Sequence, residues 1–585
     1  MQRREFLELL TAAAAVASVN GCASLSRSEA DSLYRFNSLG QARILHMTDC
    51  HAQLNPIYFR EPNVNLGVAK AAGRVPHRVG ARLLDQVATS DPRQQHALTY
   101  LDFTEAAMRF GKVGGFAHLK SLVDQLRAES PGALLLDGGD TWQGSGTALW
   151  TQGADMVGAC NLLGVDVMTG HWEFTYLESQ VIDNVGQFAG EFVAQNIRAT
   201  EEAMFEGVPV FDEDSGHIFP PYTMKTVNGR RLAIIGQAFP YTPIANPSRF
   251  IPNWTFGIQE QALMALVARV RAVEQPGAVI LLSHNGMDVD LKLASRVSGI
   301  DFILGGHTHD AVPQPINVRN PGGVCVVTNA GSNGKFLGVL DLEFDLRGLS
   351  GYQYRLLPVF ADLLPANPDM AAYIESVEAP FRSTLDQPLA VAEDLLYRRG
   401  NFNGTFDQII CDALRQELNA EVALSPGFRW GTTVLPGEMI TMARVLDQTA
   451  MTYPETYVRL MQGAELKSIL ESVADNLFHE DPYFQQGGDM VRSGGLSYQM
   501  NPTAEAGARI TNLRLSDGEL IDARRDYRVA GWATTGSTSQ GAPVWDVVAN
   551  YLRGSNSARI KTLETPDLVG VRSNTGIEDY AGRLL

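Results

Sequence analysis

The stretch Gly305-Gly306-His307-Thr308-His309 carries two imidazoles two residues apart, directly after the apolar run from Asp301 to Leu304. The run predicts a buried strand, and the glycine pair lets the backbone turn sharply and approach whatever lies at the strand end. Neutral imidazole nitrogens delivered to such a point suit a metal ion. The alternative interpretation is a strand-end loop whose histidines are solvated.

Four other predicted strands end on residues of the same kind. The five strand ends carry seven nitrogen and oxygen donors and no sulfur: Asp49, His51, Asp140, His171, His284, His307 and His309. Seven donors are too many for one tetrahedral ion and suit two ions that share a carboxylate. Asp140 follows two glycines, so it is the predicted bridge and a predicted catalytic residue. Two ions about 3.5–4 Å apart lower the pKa of a shared water toward neutrality and make it a hydroxide nucleophile.

Elements that position these donors alternate between strand and helix, which is an α/β arrangement with its site at the carboxyl ends of the strands. The predicted strands are 42–48, 133–136, 165–169, 192–199, 231–236, 278–282, 301–304, 324–328 and 337–344, and the main predicted helices are 117–128, 155–163 and 256–273. Residues 53–112 are too long for an ordinary connection, and we predict an inserted loop or lid there.

Composition sets limits on the class of protein. The chain has 585 residues, 45% hydrophobic and 19% charged, with a net charge of −18. This length predicts two or more domains. The acidic balance argues against nucleic acid or an anionic membrane surface as the main partner, and no segment beyond the N-terminus is typical of a membrane span. The five cysteines form no CxxC pair, which disfavours a thiolate zinc site.

The N-terminal residues are typical of an export signal. Arg3 and Arg4 precede an apolar, alanine-rich run, which predicts a twin-arginine signal over residues 1–28 and a periplasmic protein. The alternative is a plain N-terminal helix. A lipid anchor on Cys22 stays open, although the residues before it favour simple cleavage.

The five donor motifs, taken in order, resemble the metallophosphatase domain of the 5′-nucleotidase family. They are D-C-H at 49–51, G-G-D at 138–140, G-H-W-E-F at 170–174, S-H-N-G at 283–286 and G-G-H-T-H at 305–309. The resemblance implies an α+β chain: a four-layer αββα metallophosphatase domain over residues 41–364, a linker helix over 365–388 and a smaller α/β 5′-nucleotidase-type C-terminal domain over 389–570, which binds substrate. It also implies that Asp49, His51, Asp140 and His309 hold one ion, and that the other is held by Asp140, His171, His284 and His307.

The third motif departs from the nucleotidase pattern, which is G-N-H-E-F-D. His171 replaces an asparagine ligand, Trp172 replaces the catalytic histidine, and Thr175 replaces its aspartate partner. Trp172 can donate one hydrogen bond but cannot transfer a proton, so its catalytic role is to wall the site, or else it only packs. A phosphomonoester expels a basic alkoxide that needs protonation, whereas a thiol has a pKa of about 8.5 and needs far less help. We therefore predict that the leaving atom of the substrate is sulfur.

Three further segments carry a closer resemblance, to the thiosulfohydrolases of the Sox sulfur-oxidation system within that family. They are G-H-W-E-F-T at 170–175, Y-F-R-E-P at 58–62 and S-P-G-F-R-W-G at 425–431. The resemblance implies a hydrolase of thiosulfate oxidation with two manganese ions, acting on a cysteine S-thiosulfonate of the SoxYZ carrier protein. A metal-bridging hydroxide attacks the terminal sulfonate sulfur and sulfate leaves. We expect a monomer that binds no nucleic acid.

Predicted substrate contacts lie in the C-terminal domain. Arg429 is predicted to grip the sulfonate because guanidinium geometry matches a tetrahedral oxyanion, and Asp489 and Arg492 fall in a glycine-rich loop where the family places substrate contacts. An exposed loop arginine in a surface ion pair is the alternative for Arg429. The ligand types suit manganese, zinc or iron alike. Two other functions were weighed: a 5′-nucleotidase-like phosphomonoesterase and a catalytically silent metal-binding protein.

Overall fold

The computed structural model describes residues 29–536 and 539–578. The predicted signal over residues 1–28 lies outside the described residues. Within the described ranges, no helix combines the length and the apolar character needed to cross a membrane.

Two six-stranded sheets form the centre of the first domain. Its strands are β1 (Ala42–Met47), β2 (Leu134–Asp137), β3 (Val167–Met168), β4 (Glu191–Phe192), β5 (Arg198–Ala199), β6 (Tyr222–Val227), β7 (Arg230–Gln237), β8 (Trp254–Thr255), β9 (Ala278–Ser283), β10 (Phe302–Gly305), β11 (Ile316–Asn320), β12 (Gly323–Asn329), β13 (Phe336–Asp345) and β14 (Gly348–Pro358). The first sheet has the order β14-β13-β1-β2-β3-β4 and the second β11-β12-β10-β9-β7-β6, while β5 and β8 form a separate pair. Apolar side chains such as Ile44, Leu136, Ile280 and Leu304 fill the space between the two sheets.

Helices cover both outer faces of this sandwich. They are α1 (Gly80–Val87), α2 (Pro92–Leu98), α3 (Phe103–Phe110), α4 (Phe116–Glu129), α5 (Gly146–Thr151), α6 (Ala154–Leu163), α7 (Glu178–Gln187), α8 (Glu201–Glu206), α9 (Thr242–Ala245), α10 (Glu260–Val273) and α11 (Met287–Arg296). Leu119 of α4 and Met156 of α6 pack on the first sheet, whereas Leu263 of α10 and Leu293 of α11 pack on the second. The layers are therefore αββα, which confirms the predicted fold class.

Parallel pairing sets the position of the site. In the first sheet β1, β2, β3 and β4 run parallel, and in the second β7, β9, β10 and β12 run parallel. Because parallel strands place their carboxyl ends at one edge of a sheet, the loops after β1, β2, β3, β9 and β10 meet at one end of the sandwich. Those five loops carry the seven donors.

One predicted strand is wrong in its extent. Residues 192–199 form two short strands, β4 and β5, rather than one. Between them, the Gln195 amide donates to Gln237 at 2.6 Å and the Asn196 amide donates to the carbonyl of Ala238 at 2.8 Å. These two polar side chains are buried, and their bonds to the end of β7 take the place of a continuous ladder.

The segment 53–112 contains α1, α2, α3 and a short 3₁₀ turn at Ala69–Ala71. Its apolar side chains are buried against both domains: Ile57 and Phe59 pack with Phe336 and Phe360 of the first domain, and Val64, Leu66 and Val68 join a cluster of the second domain. The backbone N–H of Leu66 donates to the side chain of Asn401 at 2.7 Å. The segment therefore joins the two domains beside the site.

The linker is helical but divided. It forms α12 (Pro368–Glu378), a 3₁₀ turn (Ala379–Phe381) and α13 (Arg382–Leu385), whereas the sequence predicts one linker helix over 365–388. Pro380 has no N–H and cannot continue the helical ladder, which accounts for the division. Met370 and Ile374 of α12 pack against the outer helices of the first domain.

The second domain is a smaller α/β unit. Its strands are β15 (Pro388–Ala392), β16 (Val422–Ser425), β17 (Met439–Thr441), β18 (Thr456–Gln462), β19 (Arg492–Gly494), β20 (Leu496–Met500), β21 (Ile510–Leu515), β22 (Asp526–Trp532), β23 (Ser557–Ala558) and β24 (Asp567–Leu568), and its helices are α14 (Thr405–Glu417), α15 (Met442–Thr449), α16 (Gly463–Phe478) and α17 (Val544–Ser555). The largest sheet has the order β18-β22-β16-β19. The loops after β16 and before β19 lie against the donor cluster of the first domain, so the site is built by both domains.

A buried ion pair between β1 and β13 is expected to be important for stability. Arg43 donates to both carboxylate oxygens of Asp341 at 2.7 and 2.9 Å, and both side chains are buried. We expect Arg43→Met to destabilise the fold by about 3–5 kcal/mol because it leaves a buried carboxylate unpaired. Arg35→Met is the matched control, since Arg35 pairs with Asp31 on the surface, where such pairs contribute about 0–1 kcal/mol. The midpoint of thermal unfolding measures both, and equal shifts would contradict the expectation.

Candidate metal centre

The five strand-end loops bring the seven predicted donors into one buried cluster. Asp49, His51, Asp140 and His309 form one group, and His171, His284 and His307 form a second; within each group the potential ligand atoms lie within 4.8 Å of one another. This grouping matches the division of ligands that the resemblance implies, except that Asp140, which the resemblance assigns to both ions, falls in the first group. The two groups form a candidate two-metal site.

Asp140 lies between the two groups. Its Oδ2 is 3.1 Å from His171 Nδ1, 3.4 Å from His51 Nε2 and 3.7 Å from His284 Nε2. A single carboxylate oxygen that faces imidazoles of both groups has the geometry of a bridging ligand. His51 Nε2 and His309 Nε2 are only 2.9 Å apart, so these two ring nitrogens face each other at hydrogen-bonding distance.

The backbone at these positions is strained. Asp49, His51, Asp140, His307 and His309 all have positive φ, between 47° and 73°. The left-handed region costs a residue with a Cβ about 1–2 kcal/mol. Five such residues in one cluster, held by the surrounding sandwich, are typical of a functional centre rather than of a packed core.

Many potential ligand atoms in the cluster lack a hydrogen-bond partner. Among the described residues, buried atoms without one include Nδ1 of His51 and His309, Nε2 of His171 and His284, both ring nitrogens of His307, and Oδ1 of Asp140. A buried polar atom without a partner costs about 1–3 kcal/mol, so the atoms of this set that face the cluster, such as Nε2 of His284 at 3.5 Å from Asp49, require compensation. Divalent cations would supply it, and the donor set therefore fits the metal pair implied by the resemblance.

Electrostatics keep most of these histidines neutral. Burial lowers the pKa of His51 and of His171 to about 4, and it lowers the pKa of His307 and His309 well below the ordinary value. Burial has the same effect on His284, but the carboxylates of Asp49 and Asp140 outweigh it and raise the pKa of His284 to about 9. Four of the five imidazoles are thus neutral, as cation binding requires, and a divalent cation would displace a proton from His284.

Neighbouring groups orient the donors. His284 Nδ1 lies 2.7 Å from the carbonyl of Gly138, which fixes the proton on Nδ1 and leaves Nε2 free toward the cluster. The backbone N–H of His307 donates to both carboxylate oxygens of Asp49 at 3.0 Å. At Gly306 a Cβ would lie 2.9 Å from His284 Nδ1, so the close approach predicted from the glycine pair is present.

Glu173 is a positioning residue that the sequence analysis did not select. Its buried carboxylate accepts hydrogen bonds of 2.7–3.1 Å from the backbone N–H groups of Asp140, Thr141, Trp142 and His171. It therefore fixes the loops after β2 and β3 relative to each other. The sequence feature that could have identified Glu173 is its place in the G-H-W-E-F motif, two residues after His171.

A cavity of about 210 Å³ lies over the cluster. His51, Asp140, His171, His307 and His309 line it from the first domain, and Phe428, Arg429, Trp430 and Asp489 line it from the second. Trp172 is buried in its wall, with its ring 5.4 Å from that of Trp430 and 5.6 Å from that of Phe428. Thr175 is turned away, and its hydroxyl lies 2.7 Å from that of Thr452. Where the nucleotidase pattern has its catalytic histidine, this chain therefore has Trp172, which packs against aromatic side chains of the second domain.

Three predicted substrate contacts have different surroundings. Arg429 lines the cavity, donates to the carbonyls of Thr308 at 3.0 Å and Gly488 at 2.7 Å, and lies 3.4 Å from Asp489. Arg492 is fully buried, pairs with Asp489 at 3.1 Å, and is not among the residues that line the cavity. This placement favours a supporting role for Arg492, which holds Asp489 in position.

Arg399 is a second residue that the sequence analysis did not select. It is buried, and its guanidinium donates at 3.0 Å to the carbonyl of Thr308, the same oxygen that accepts from Arg429. Thr308 lies between His307 and His309. Two arginines of the second domain therefore fix the loop whose two histidines belong to different groups of the cluster. No local motif marks Arg399, since its partner is 91 residues away in the sequence.

Comparison with solved structures identifies the family. SoxB, a sulfate thiohydrolase from Thermus thermophilus solved in complex with glycerol, superposes with a TM-score of 0.84 at 35% identity, over 92% of this chain and 98% of that one. The chain is a SoxB-like member of the 5′-nucleotidase superfamily. A 5′-nucleotidase precursor, also from Thermus thermophilus, shares the fold with a TM-score of 0.71 at 21% identity, over 91% of the SoxB-like chain and 99% of its own.

Sequence comparisons agree with this placement. The 5′-nucleotidase C-terminal domain matches residues 390–546 of the SoxB-like chain. The 5′-nucleotidase of Rattus norvegicus is 31% identical over 277 residues, covering 44% of this chain and 46% of its own length, and that of Bos taurus is 27% identical over 351 residues, covering 56% and 58%. The chain spans about half the length of these curated relatives. The SoxB-like chain is thus an enzyme of the metallophosphoesterase type with a candidate two-metal site.

Removal of the bridging carboxylate should reduce metal binding by the SoxB-like chain. We expect Asp140→Asn, purified with manganese present, to retain at most one ion per chain where the unmodified protein retains two, because both groups lose their shared anionic ligand. Elemental analysis after gel filtration measures the metal content. His479→Asn, which changes a histidine of the second domain outside the cluster, should keep two ions. Retention of two ions by Asp140→Asn would contradict the bridging role.

Glu173→Gln should weaken metal binding without removing a ligand. The amide NH₂ would face backbone N–H donors, so the loops that hold Asp140 and His171 lose their common acceptor. We expect metal affinity to fall about 10–100-fold, as for other groups that orient ligands. Competition with a fluorescent chelator measures the affinity, and Glu202→Gln on the exposed helix α8 is the control. An unchanged affinity would show that Glu173 does not position the ligands.

Proposed function

We propose that this chain is a dinuclear metal hydrolase that releases sulfate from a cysteine S-thiosulfonate on a SoxYZ-type carrier protein. The seven clustered side chains would hold two manganese ions, which would acidify a water and neutralise the sulfonate oxygens. The oxygen of one water bonds to the terminal sulfur and the S–S bond breaks. Sulfate leaves with that oxygen, the electron pair of the broken bond stays on the carrier as a persulfide, and two protons go to solvent.

The observation that carries this proposal is the absence of a suitable proton donor among the described residues that line the cavity. Outside the ligand cluster, its titratable residues are Tyr241, Arg429 and Asp489. Burial raises the pKa of Tyr241 to about 12, whereas Arg429 and Arg492 overcome the effect of burial and lower the pKa of Asp489. Tyr241 keeps its proton, but its hydroxyl donates that proton to the carbonyl of Tyr483. Neither the Arg429 guanidinium nor the ionised Asp489 is a ready proton donor to a departing alkoxide. A persulfide needs no such help, because its sulfur stabilises negative charge.

Arg429 is the proposed anchor for the sulfonate. A guanidinium has five N–H donors, and hydrogen bonds to Gly488 and Thr308 use three of them. Two therefore remain for an anion in the cavity that Arg429 lines. Asp489, fixed by Arg492 and by Asn401 at 3.1 Å, holds the guanidinium in this orientation. Trp172 excludes water from the wall opposite.

The size of the cavity favours a small anionic group. Its volume of about 210 Å³ is below the usual 300–1,000 Å³ of pockets for drug-sized ligands, and it is bordered at the rim by Ile244 and by Gly487 and Gly488. At Gly487 a Cβ would overlap Nε2 of His307, so only glycine allows this loop to come so near. A sulfonate at the end of a narrow protein arm fits such a space better than a nucleoside. We propose a periplasmic location with export by the twin-arginine route, and a monomeric enzyme.

The alternative function is that of a 5′-nucleotidase-like phosphomonoesterase. It is favoured by the likeness to the rat and bovine 5′-nucleotidases, since the ligand cluster alone would serve either reaction. The side chains at 172 and 175 count against it, because phosphomonoesters with basic leaving groups need the acid that Trp172 cannot be. Zinc or iron in place of manganese would leave the proposal otherwise unchanged.

Substrate selectivity distinguishes the two functions. We expect manganese-loaded enzyme to release stoichiometric sulfate from a carrier-bound cysteine S-thiosulfonate, measured by ion chromatography. It should hydrolyse a phosphate ester of an acidic phenol at least about 100-fold faster than AMP, because only the alkoxide of AMP requires protonation. Arg429→Met should reduce sulfate release. The conservative variant Arg429→Lys should release sulfate faster than Arg429→Met but more slowly than the unmodified enzyme. Rapid AMP hydrolysis without sulfate release would replace this proposal by the alternative.

A further inference from the structure

A second and larger concavity lies beside the metal centre. This cleft has a volume of about 990 Å³ and shares no lining residue with the cavity over the donor cluster. Its walls are strand β11, one face of helix α11, and the turn Ala69–Ala71 with Arg74 from the inserted segment; Pro482 and its neighbours form one end. A concavity of this size is unexplained by the reaction proposed for the metal centre.

One wall of the cleft is an open strand edge. Strand β11 is the last strand of the second sheet and pairs only with β12 within the part of the chain described by the structure. Four consecutive residues, Ile316 to Arg319, line the cleft. Because successive side chains of a strand point to opposite faces, a concavity that contacts all four lies along the edge itself. Unpaired backbone N–H and C=O groups on such an edge can pair with another chain.

The cleft also presents uncompensated positive charge. Lys70, Arg74 and Arg319 are exposed and line it, and no ion pair within 4 Å involves them among the described residues. By contrast, Lys292 pairs with Asp481 in the same cleft. The whole chain has a net charge of −18, so a concavity lined by three exposed cations differs in sign from the protein as a whole.

The acidic side chains of the cleft do not cancel these cations. Asp288 attracts Arg74, but its carboxylate is already held by His77, whose Nε2 lies 2.9 Å away, and Asp481 is held by Lys292. Glu480 is the remaining acid that lines the cleft, and it is exposed. The free charges therefore sum to a positive surface along β11.

We propose that this cleft binds an extended acidic segment of a partner protein, which adds to the sheet as a strand next to β11. The open edge would supply main-chain hydrogen bonds, and Lys70, Arg74 and Arg319 would select acidic side chains. A chain of about five residues, the length of β11, spans about 17 Å, so it uses the edge fully where a small anion would not. Asp288 and Gln485 border both this cleft and a smaller cavity that contacts His307, so the partner would lie beside the metal centre without entering it.

Charge reversal tests the proposed surface. The probe is a fluorescein-labelled peptide of alternating glutamate and valine, titrated into the full-length protein and followed by fluorescence anisotropy. We expect it to bind, and we expect the triple variant K70E/R74E/R319E to bind it at least tenfold more weakly. The triple variant R347E/R524E/K561E, which makes the same change in net charge at exposed positions outside the cleft, should bind as the unmodified protein does. Equal loss in both variants, or no binding to the unmodified protein, would overturn the proposal.

Backbone methylation tests strand addition separately from charge. Two versions of the same peptide carry N-methyl groups on alternate residues, one version on the odd and the other on the even positions. Because only alternate residues of an added strand bond to its neighbour, we expect one version to lose binding and the other to keep it. Retention of binding by both would show that β11 does not pair with the peptide. Sulfate release from the carrier is measured in parallel, so that failure of this surface and failure of the proposed reaction are distinguished.

Discussion

The structure depends on one arrangement that is unfavourable by itself. Imidazoles and carboxylates are buried close together around Asp140, and several of their polar atoms have no hydrogen-bond partner. Buried carboxylates repel one another, and buried imidazoles lose their hydration. The left-handed backbone at five of the seven donor positions adds strain. The αββα sandwich compensates by delivering each donor from the rigid end of a buried strand. Glu173 and the carbonyl of Gly138 then fix the loops and the tautomer. A bound pair of divalent cations would turn this arrangement from a cost into a source of stability.

Closure by the second domain makes the cluster a site rather than an exposed centre. Arg399 and Arg429 donate to one carbonyl between two candidate ligands, and Trp172 packs against Trp430 across the same junction. The inserted segment, residues 53–112, also holds the two domains together, because its apolar side chains pack against both. Substrate access and ligand geometry are therefore linked through the same few contacts.

Chemistry at this centre follows from what stands beside the donors. The donor motifs of this chain resemble those of the nucleotidases, and the chain departs from that pattern at Trp172 and Thr175. Under the proposed function, an indole at position 172 would leave the metal chemistry intact and remove proton transfer, which would restrict the reaction to substrates with acidic leaving groups. On this proposal, selectivity between phosphate esters and sulfur-linked sulfonates would depend on leaving-group basicity as much as on the shape of the cavity.

The sequence by itself determined the donors, their order along the chain and the layered class, because each donor directly follows a short apolar strand and the glycine pairs mark the sharp turns. It also identified the tryptophan substitution. It overestimated the strand at 192–199, because the bonds of Gln195 and Asn196 to the distant strand β7 are invisible in local pattern. It missed Arg399 for the same reason. Its assignment of Arg492 as a substrate contact stays a prediction, and the structure pairs this buried arginine with Asp489. Only the tertiary structure decided which arginine reaches the cavity, that the inserted segment joins the domains, and that β11 is an open edge, since these depend on packing between residues far apart in sequence.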